Sequence, residues 1–156
     1  MSVEEQYTQE YLDVIERLQG DEEGRRAAWR RMAAGTSLWQ GEPTAFSYVP
    51  RFFGEAAQER FAQLTRTAYG IFAKVIARYR ADETYRREFR LDPRVEELVL
   101  LPQGYDEPLP MARIDMKHDD RAGDLHFCEF NTDSSSGMNE TREALAALEN
   151  TRPYRD

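Results

Sequence analysis

Residues 111–131 read "MARIDMKHDDRAGDLHFCEFN", and the fold turns on this stretch. Two runs, 111–118 and 124–131, alternate apolar with polar residues around "DDRAG". A period of two is a strand signature, and Asp and Gly between two such runs predict an antiparallel β-hairpin. Even positions hold Ala112, Ile114, Met116, His126, Cys128 and Phe130. Odd positions hold Arg113, Asp115, Lys117, Phe127, Glu129 and Asn131. The even face is expected to meet a core and the odd face to carry charge. If Asp115 faces Glu129, then Arg113 faces Asn131. Two carboxylates, an amide and a guanidinium then share one patch.

The next residues, "TDSSSGMNE", are rich in hydroxyls and small side chains. They predict a polar loop leading into a helix over 139–149 with Asn139 as its N-cap. Hydroxyls and backbone N–H groups at a helix start favour an anion.

Upstream, the chain reads as helix. Tyr7, Tyr11, Val14, Ile15 and Leu18 recur at helical spacing after Val3. Gly20-Asp21 interrupts, and a second helix over 22–34 is stopped by Gly35. Residues 35–51 hold Gly, Pro and Ser without a helical period, so a loop is expected. Trp39, Phe46 and Tyr48 should pack that loop down. A long helix is predicted from Glu55 to Arg80, with Phe61, Leu64, Ala68, Phe72, Val75, Ile76 and Tyr79 on its buried stripe. A short helix near 82–89 follows. Asp92-Pro93, a cap followed by proline, begins another. The expectation is an α+β chain: a mainly helical region over 1–110, then a hairpin, serine-rich loop and C-terminal helix over 111–156.

Composition narrows the function. The 156 residues are 40% hydrophobic and 12% aromatic, enough for a core. A formal net charge of −8 argues against a nucleic-acid partner, which needs a basic footprint. The arginines of "GRRAAWRRM" (Arg25, Arg26, Arg30 and Arg31) fit a solvated helix face. No apolar run reaches membrane-spanning length. The polar start "MSVEEQYTQEY" does not resemble a secretory leader. The single cysteine, Cys128, excludes an internal disulfide. A cytoplasmic protein is expected.

Two carboxylates directly across a strand pair repel, and a cation between them would relieve this. Oxygen donors such as Asp115, Glu129 and Asn131 suit a hard cation, Mg²⁺ above all. Arg113 suits a phosphate or carboxylate. The same residues also serve as ordinary decoration of a solvent-facing sheet. A further possibility is zinc, since His118, His126 and Cys128 fall on the even face with the two histidines opposite one another. A buried core cysteine is the stronger reading of Cys128, since no fourth ligand is evident and both histidines can be satisfied by hydrogen bonds.

Residues 112–140, "ARIDMKHDDRAGDLHFCEFNTDSSSGMNE", resemble the signature hairpin of the glutathionylspermidine synthase-like, circularly permuted ATP-grasp family. The resemblance rests on Arg113-Ile114-Asp115, a turn, Glu129-Phe130-Asn131, and the small-residue loop Thr132 to Gly137. It implies a partial ATP-grasp-like architecture. It implies an ATP-dependent ligase that joins a carboxylate to an amine through an acyl-phosphate. It further implies that Asp115, Glu129 and Asn131 hold Mg²⁺ against the phosphates of ATP, and that Arg113 stabilises the transferring group. The loop Ser134, Ser135 and Ser136 would contact the carboxylate substrate.

The match covers roughly a fifth of the chain. Phosphate-binding lysines are scarce: only Lys74 and Lys117 exist, and Lys117, on the polar hairpin face, is the candidate. There is no G-x-x-x-x-G-K-[ST] loop. A second chain or a further C-terminal portion is therefore expected to complete the nucleotide site. A face left open in this way should invite self-association. The alternative is a non-catalytic helical interaction module with neither metal nor nucleotide.

Overall fold

The computed structural model describes residues 2–119, 122–132 and 135–156. The chain is α+β, with helices α1 (Val3–Arg17), α2 (Glu22–Ala33), α3 (Glu55–Ala81), α4 (Glu83–Arg86), α5 (Pro93–Val99), α6 (Met138–Leu148) and α7 (Arg152–Arg155). Two small antiparallel hairpins complete it, β1 (Leu38–Trp39) with β2 (Glu42–Pro43), and β3 (Arg113–His118) with β4 (Leu125–Asn131).

Local chemistry sets the helix ends. Ser2 caps α1, and Glu5 reaches back to the Ser2 N–H at 2.8 Å, so two end donors are satisfied reciprocally. Gln19, Gly20 and Asp21 all adopt positive φ, which turns the chain between α1 and α2. Asp21 then caps α2 through the Gly24 N–H at 3.2 Å. Asp92 caps α5 ahead of Pro93, as the sequence predicts. The start of α3 is closed from a distance: Gly54 N–H donates to Glu4 Oε1 at 2.9 Å, tying α1 to α3.

The core lies where α1, α2, the 46–52 segment and α6 meet. Tyr11, Ile15, Ala28, Met32, Tyr48, Ala147 and Leu148 form it, with Phe46, Val49 and Phe52 packed against it. The regions 1–110 and 111–156 share this one core. Tyr11 donates its hydroxyl to the Tyr48 carbonyl at 3.1 Å, and Tyr48 donates its own to the Asp21 carboxylate. Burial, together with that acceptor, pushes the Tyr48 phenol well above its ordinary range. Trp39 departs from expectation. It sits at the β1–β2 turn and is 72% exposed, because a two-residue hairpin projects it away from the core.

One charged side chain enters the core region. Glu143 on α6 is only 7% exposed at its side chain. Arg31 Nη1 of α2 donates to its Oε2 at 3.0 Å, and Arg142 Nη2 to its Oε1 at 3.1 Å. Thr36 Oγ1 adds a longer contact at 3.4 Å. Gly35 admits this carboxylate, since a Cβ there would stand 2.3 Å from Glu143 Oε2.

The β3–β4 hairpin docks on α3 through rings. Phe72 stacks on Phe130 at 4.4 Å between centroids and meets Phe127 at 6.4 Å. His118 packs on Phe53 and Phe61 at 5.7 and 5.5 Å. Arg60 Nη1 donates to the Gly123 carbonyl at 2.7 Å. Among the described residues no helix is long and apolar enough to cross a membrane.

The Arg31 bond holds the Glu143 carboxyl below its ordinary value of 4.5. A depressed carboxyl stabilises the fold above that value and loses its contribution as pH falls through the folded pKa. Thermal melts of Glu143→Gln should therefore show lower stability at neutral pH and a flatter dependence over roughly pH 5 to 3. An acid limb as steep as the parent's would count against Glu143 as its source.

Candidate metal and phosphate site

The hairpin register brings the four patch residues together. Arg113 faces Asn131, and Asp115 faces Glu129, as read from the sequence. Beyond them the register slips. Met116 faces Phe127, Lys117 faces His126, and His118 faces Leu125, with the irregularity falling after Asp115. Cys128 is the extra residue of a β-bulge. The gain is apolar: with Cys128 unpaired, Phe127 and Phe130 both turn toward Phe72 of α3.

The bulge overturns part of the parity reading. His126 moves to the Lys117 side and no longer opposes His118. Cys128 is exposed rather than core. The zinc arrangement is therefore not formed, and among the described residues no group of three or more His, Cys, Asp or Glu side chains is placed to hold a metal.

Arg113 organises the patch. Its Nε donates to Asp115 Oδ1 at 2.7 Å and its Nη2 to Asp115 Oδ2 at 3.2 Å, a bidentate pair. Its Nη1 donates to Ser136 Oγ at 3.0 Å and to the Ser136 carbonyl at 3.2 Å. Asn131 Nδ2 donates to Glu129 Oε1 at 3.1 Å. The guanidinium, first by hydrogen bonding and then by charge, holds the Asp115 carboxyl below its ordinary value, with Glu129 and Asn131 contributing less. The same bond raises Arg113 further. Both side chains of the pair are about one-third exposed, 35% and 38%, so water screens the pair.

The repulsion between Asp115 and Glu129 is thus met within the chain, by Arg113. A metal is not required to make the pairing tolerable. Formal charge nevertheless stays negative, because Glu129 and Glu140 also act on Arg113. A bare phosphate is disfavoured there, whereas a cation or a cation–phosphate complex is not. Three side-chain oxygens, from Asp115, Glu129 and Asn131, suit Mg²⁺, which retains several waters. Lys117 follows two residues along the face and is exposed.

The serine loop divides. Ser135 Oγ donates to the Asn131 carbonyl at 2.7 Å, closing the exit from β4. Ser136 is held by Arg113. Ser134 lies outside the described residues.

The N-cap of α6 is Gly137 at φ 106°, not Asn139. Its N–H donates to Glu140 Oε2 at 2.8 Å. Asn139 instead accepts from Arg142 Nη2 at 3.1 Å and lies within 3.4 Å of Thr36 Oγ1. Gly137 and Glu140 are the site residues that sequence reading missed. The spacing of a cap and an acid three residues later was the available signal.

Comparison with protein-family models, with curated proteins and with solved structures returned no match.

The bulge makes Cys128 a test of the register. Its thiol should react with a disulfide reagent in the native protein nearly as fast as in denaturant. Protection under native conditions would restore the regular register with Cys128 facing α3.

Proposed function

We propose that this chain contributes part of the nucleotide-phosphate site of an ATP-dependent carboxylate–amine ligase of the glutathionylspermidine synthase-like, ATP-grasp kind. The cross-strand pairing of Arg113 with Asn131 and Asp115 with Glu129 supports the reading, because it gathers the signature side chains on one face. In this reading Asp115, Glu129 and Asn131 would hold Mg²⁺. The ion supplies Lewis-acid stabilisation of charge on the phosphoryl oxygens.

Arg113 has two tasks. It would orient the Asp115 carboxylate through the bidentate pair, and it would add positive charge beside the group transferred from ATP to the carboxylate. Through Ser136 it also sets the height of the loop against the acid pair. Ser135 and Ser136, with Ser134, face the carboxylate substrate in this proposal, and Lys117 meets a nucleotide phosphate. The amine site and the rest of the nucleotide cradle come from a second chain or a further portion of this one.

A non-catalytic interaction module is the competing reading. It is favoured by the closed Arg113–Asp115 pair, which satisfies the patch without ligand.

Calorimetric titration with Mg²⁺–ATP separates the two. Binding is expected that disappears in the Asp115→Asn/Glu129→Gln variant, and that ATP in excess chelator fails to reproduce. Equal heats from parent and variant, or none from either, would overturn the ligase reading for this chain.

A further inference from the structure

Every nitrogen of the Arg113 guanidinium is engaged before a ligand arrives, and its partners lie on both sides of the candidate site. Nε and Nη2 span the two oxygens of Asp115 on β3. Nη1 reaches the Oγ and the carbonyl of Ser136, the residue before the N-cap of α6. A guanidinium is a rigid planar fork, so its nitrogens turn together. Arg113 cannot aim at a third group and keep both holds.

The neighbouring loop residues are tied to their own elements. Ser135 Oγ donates to the Asn131 carbonyl at the end of β4, and the Gly137 N–H to Glu140 in α6. Arg113 is what joins this loop to β3. Its stem lies close under the loop as well, since a Cβ on Gly137 would stand 3.4 Å from Arg113 Cδ. The Arg113–Asp115 pair is partly exposed, so water screens it and the hold opens at modest cost.

A cation drawn to Asp115 meets Arg113 as a competitor of like charge, already bonded to both carboxylate oxygens. We propose that Arg113 is a clasp, closed in the ligand-free chain, that a divalent cation opens. The cation takes Asp115 from the guanidinium, which then lets go of Ser136 and is free to turn to a phosphate. Arrival of the metal and release of the serine loop are one event. The inference rests on the ligase reading for its cation at Asp115. It makes Ser136 the latch of the clasp, and it makes Arg113 an inhibitor of metal binding in the free chain, because a ligand that needs the open form binds more weakly by the fraction that is closed. A guanidinium that merely steadied Asp115 for the metal would act with the opposite sign.

Binding of Mn²⁺ alone, read from the electron paramagnetic resonance signal of the free ion, tests that sign. Arg113→Lys keeps the charge but cannot span both Asp115 oxygens and Ser136. It should bind Mn²⁺ about fivefold more tightly than the parent, the lower end of ordinary coupling between sites. Ser136→Ala, which also leaves the charge unchanged, should tighten binding in the same direction. Adding Asp115→Asn to Arg113→Lys should remove the gain. In the parent, the Arg113 Nε–H resonance should shift and exchange faster with water as Mg²⁺ is added. Equal or weaker binding by Arg113→Lys, or an Nε–H resonance unmoved at saturation, would overturn the clasp and leave a metal at Asp115 standing. No binding by the parent or by either variant would overturn the cation site itself, and the clasp with it.

Discussion

A buried carboxylate governs how the two ends of this chain meet. Glu143 sits at the junction of α6 with α2, and burial of its charge is tolerable only because Arg31 and Arg142 donate to it. Arg31 is 112 residues away in sequence, so the bond fixes α6 on the N-terminal helices. Gly35 leaves room for the same contact, since a Cβ there would stand 2.3 Å from Glu143 Oε2 and the carboxylate would have to shift. Once α6 is set, so is its first turn. Gly137 begins it, and Ser136, just before, is gripped by Arg113 of β3. Core and candidate site are thus linked through one helix.

The electrostatics of the hairpin face favour a cation-carrying ligand. Arg113 offsets one carboxylate by a bidentate pair, and Glu129 and Glu140 remain close enough to act on it. A phosphate alone would meet net negative charge. A Mg²⁺–phosphate complex would bring the missing positive charge with it. The same reasoning limits Arg113: its nitrogens hold Asp115 and the loop, so it positions these groups before it meets any substrate.

Much of the fold was legible because its signals are local. Helical periodicity marked α1, α2 and α3 to within a residue or so of their ends, and Asp92-Pro93 marked α5. Alternation and turn chemistry marked the hairpin, and parity gave the Arg113–Asn131 and Asp115–Glu129 pairs. The failures came from contacts distant in sequence. The bulge at Cys128 exists so that Phe127 and Phe130 can both reach Phe72 of α3, and no alternation pattern encodes that. It also parted His126 from His118. Asn139 was misread as a cap because its contact with Arg142 and its approach to Thr36 appear only in three dimensions. The chemistry of Trp39 alone predicts that it packs its loop down, although a tight turn carries it outward. Glu143 has no marker in sequence, since an acid inside an amphipathic helix ordinarily faces water.

The placement of a metal–nucleotide on the odd face of the hairpin is tested most directly by paramagnetic broadening of backbone amide resonances on adding Mn²⁺–ATP. Loss of signal confined to residues 113–117 and 129–132, with the core amides of Ala28 and Met32 intact, is the expected result. Broadening that instead follows exposed acids such as Glu22 and Glu23, or none at all, would contradict it.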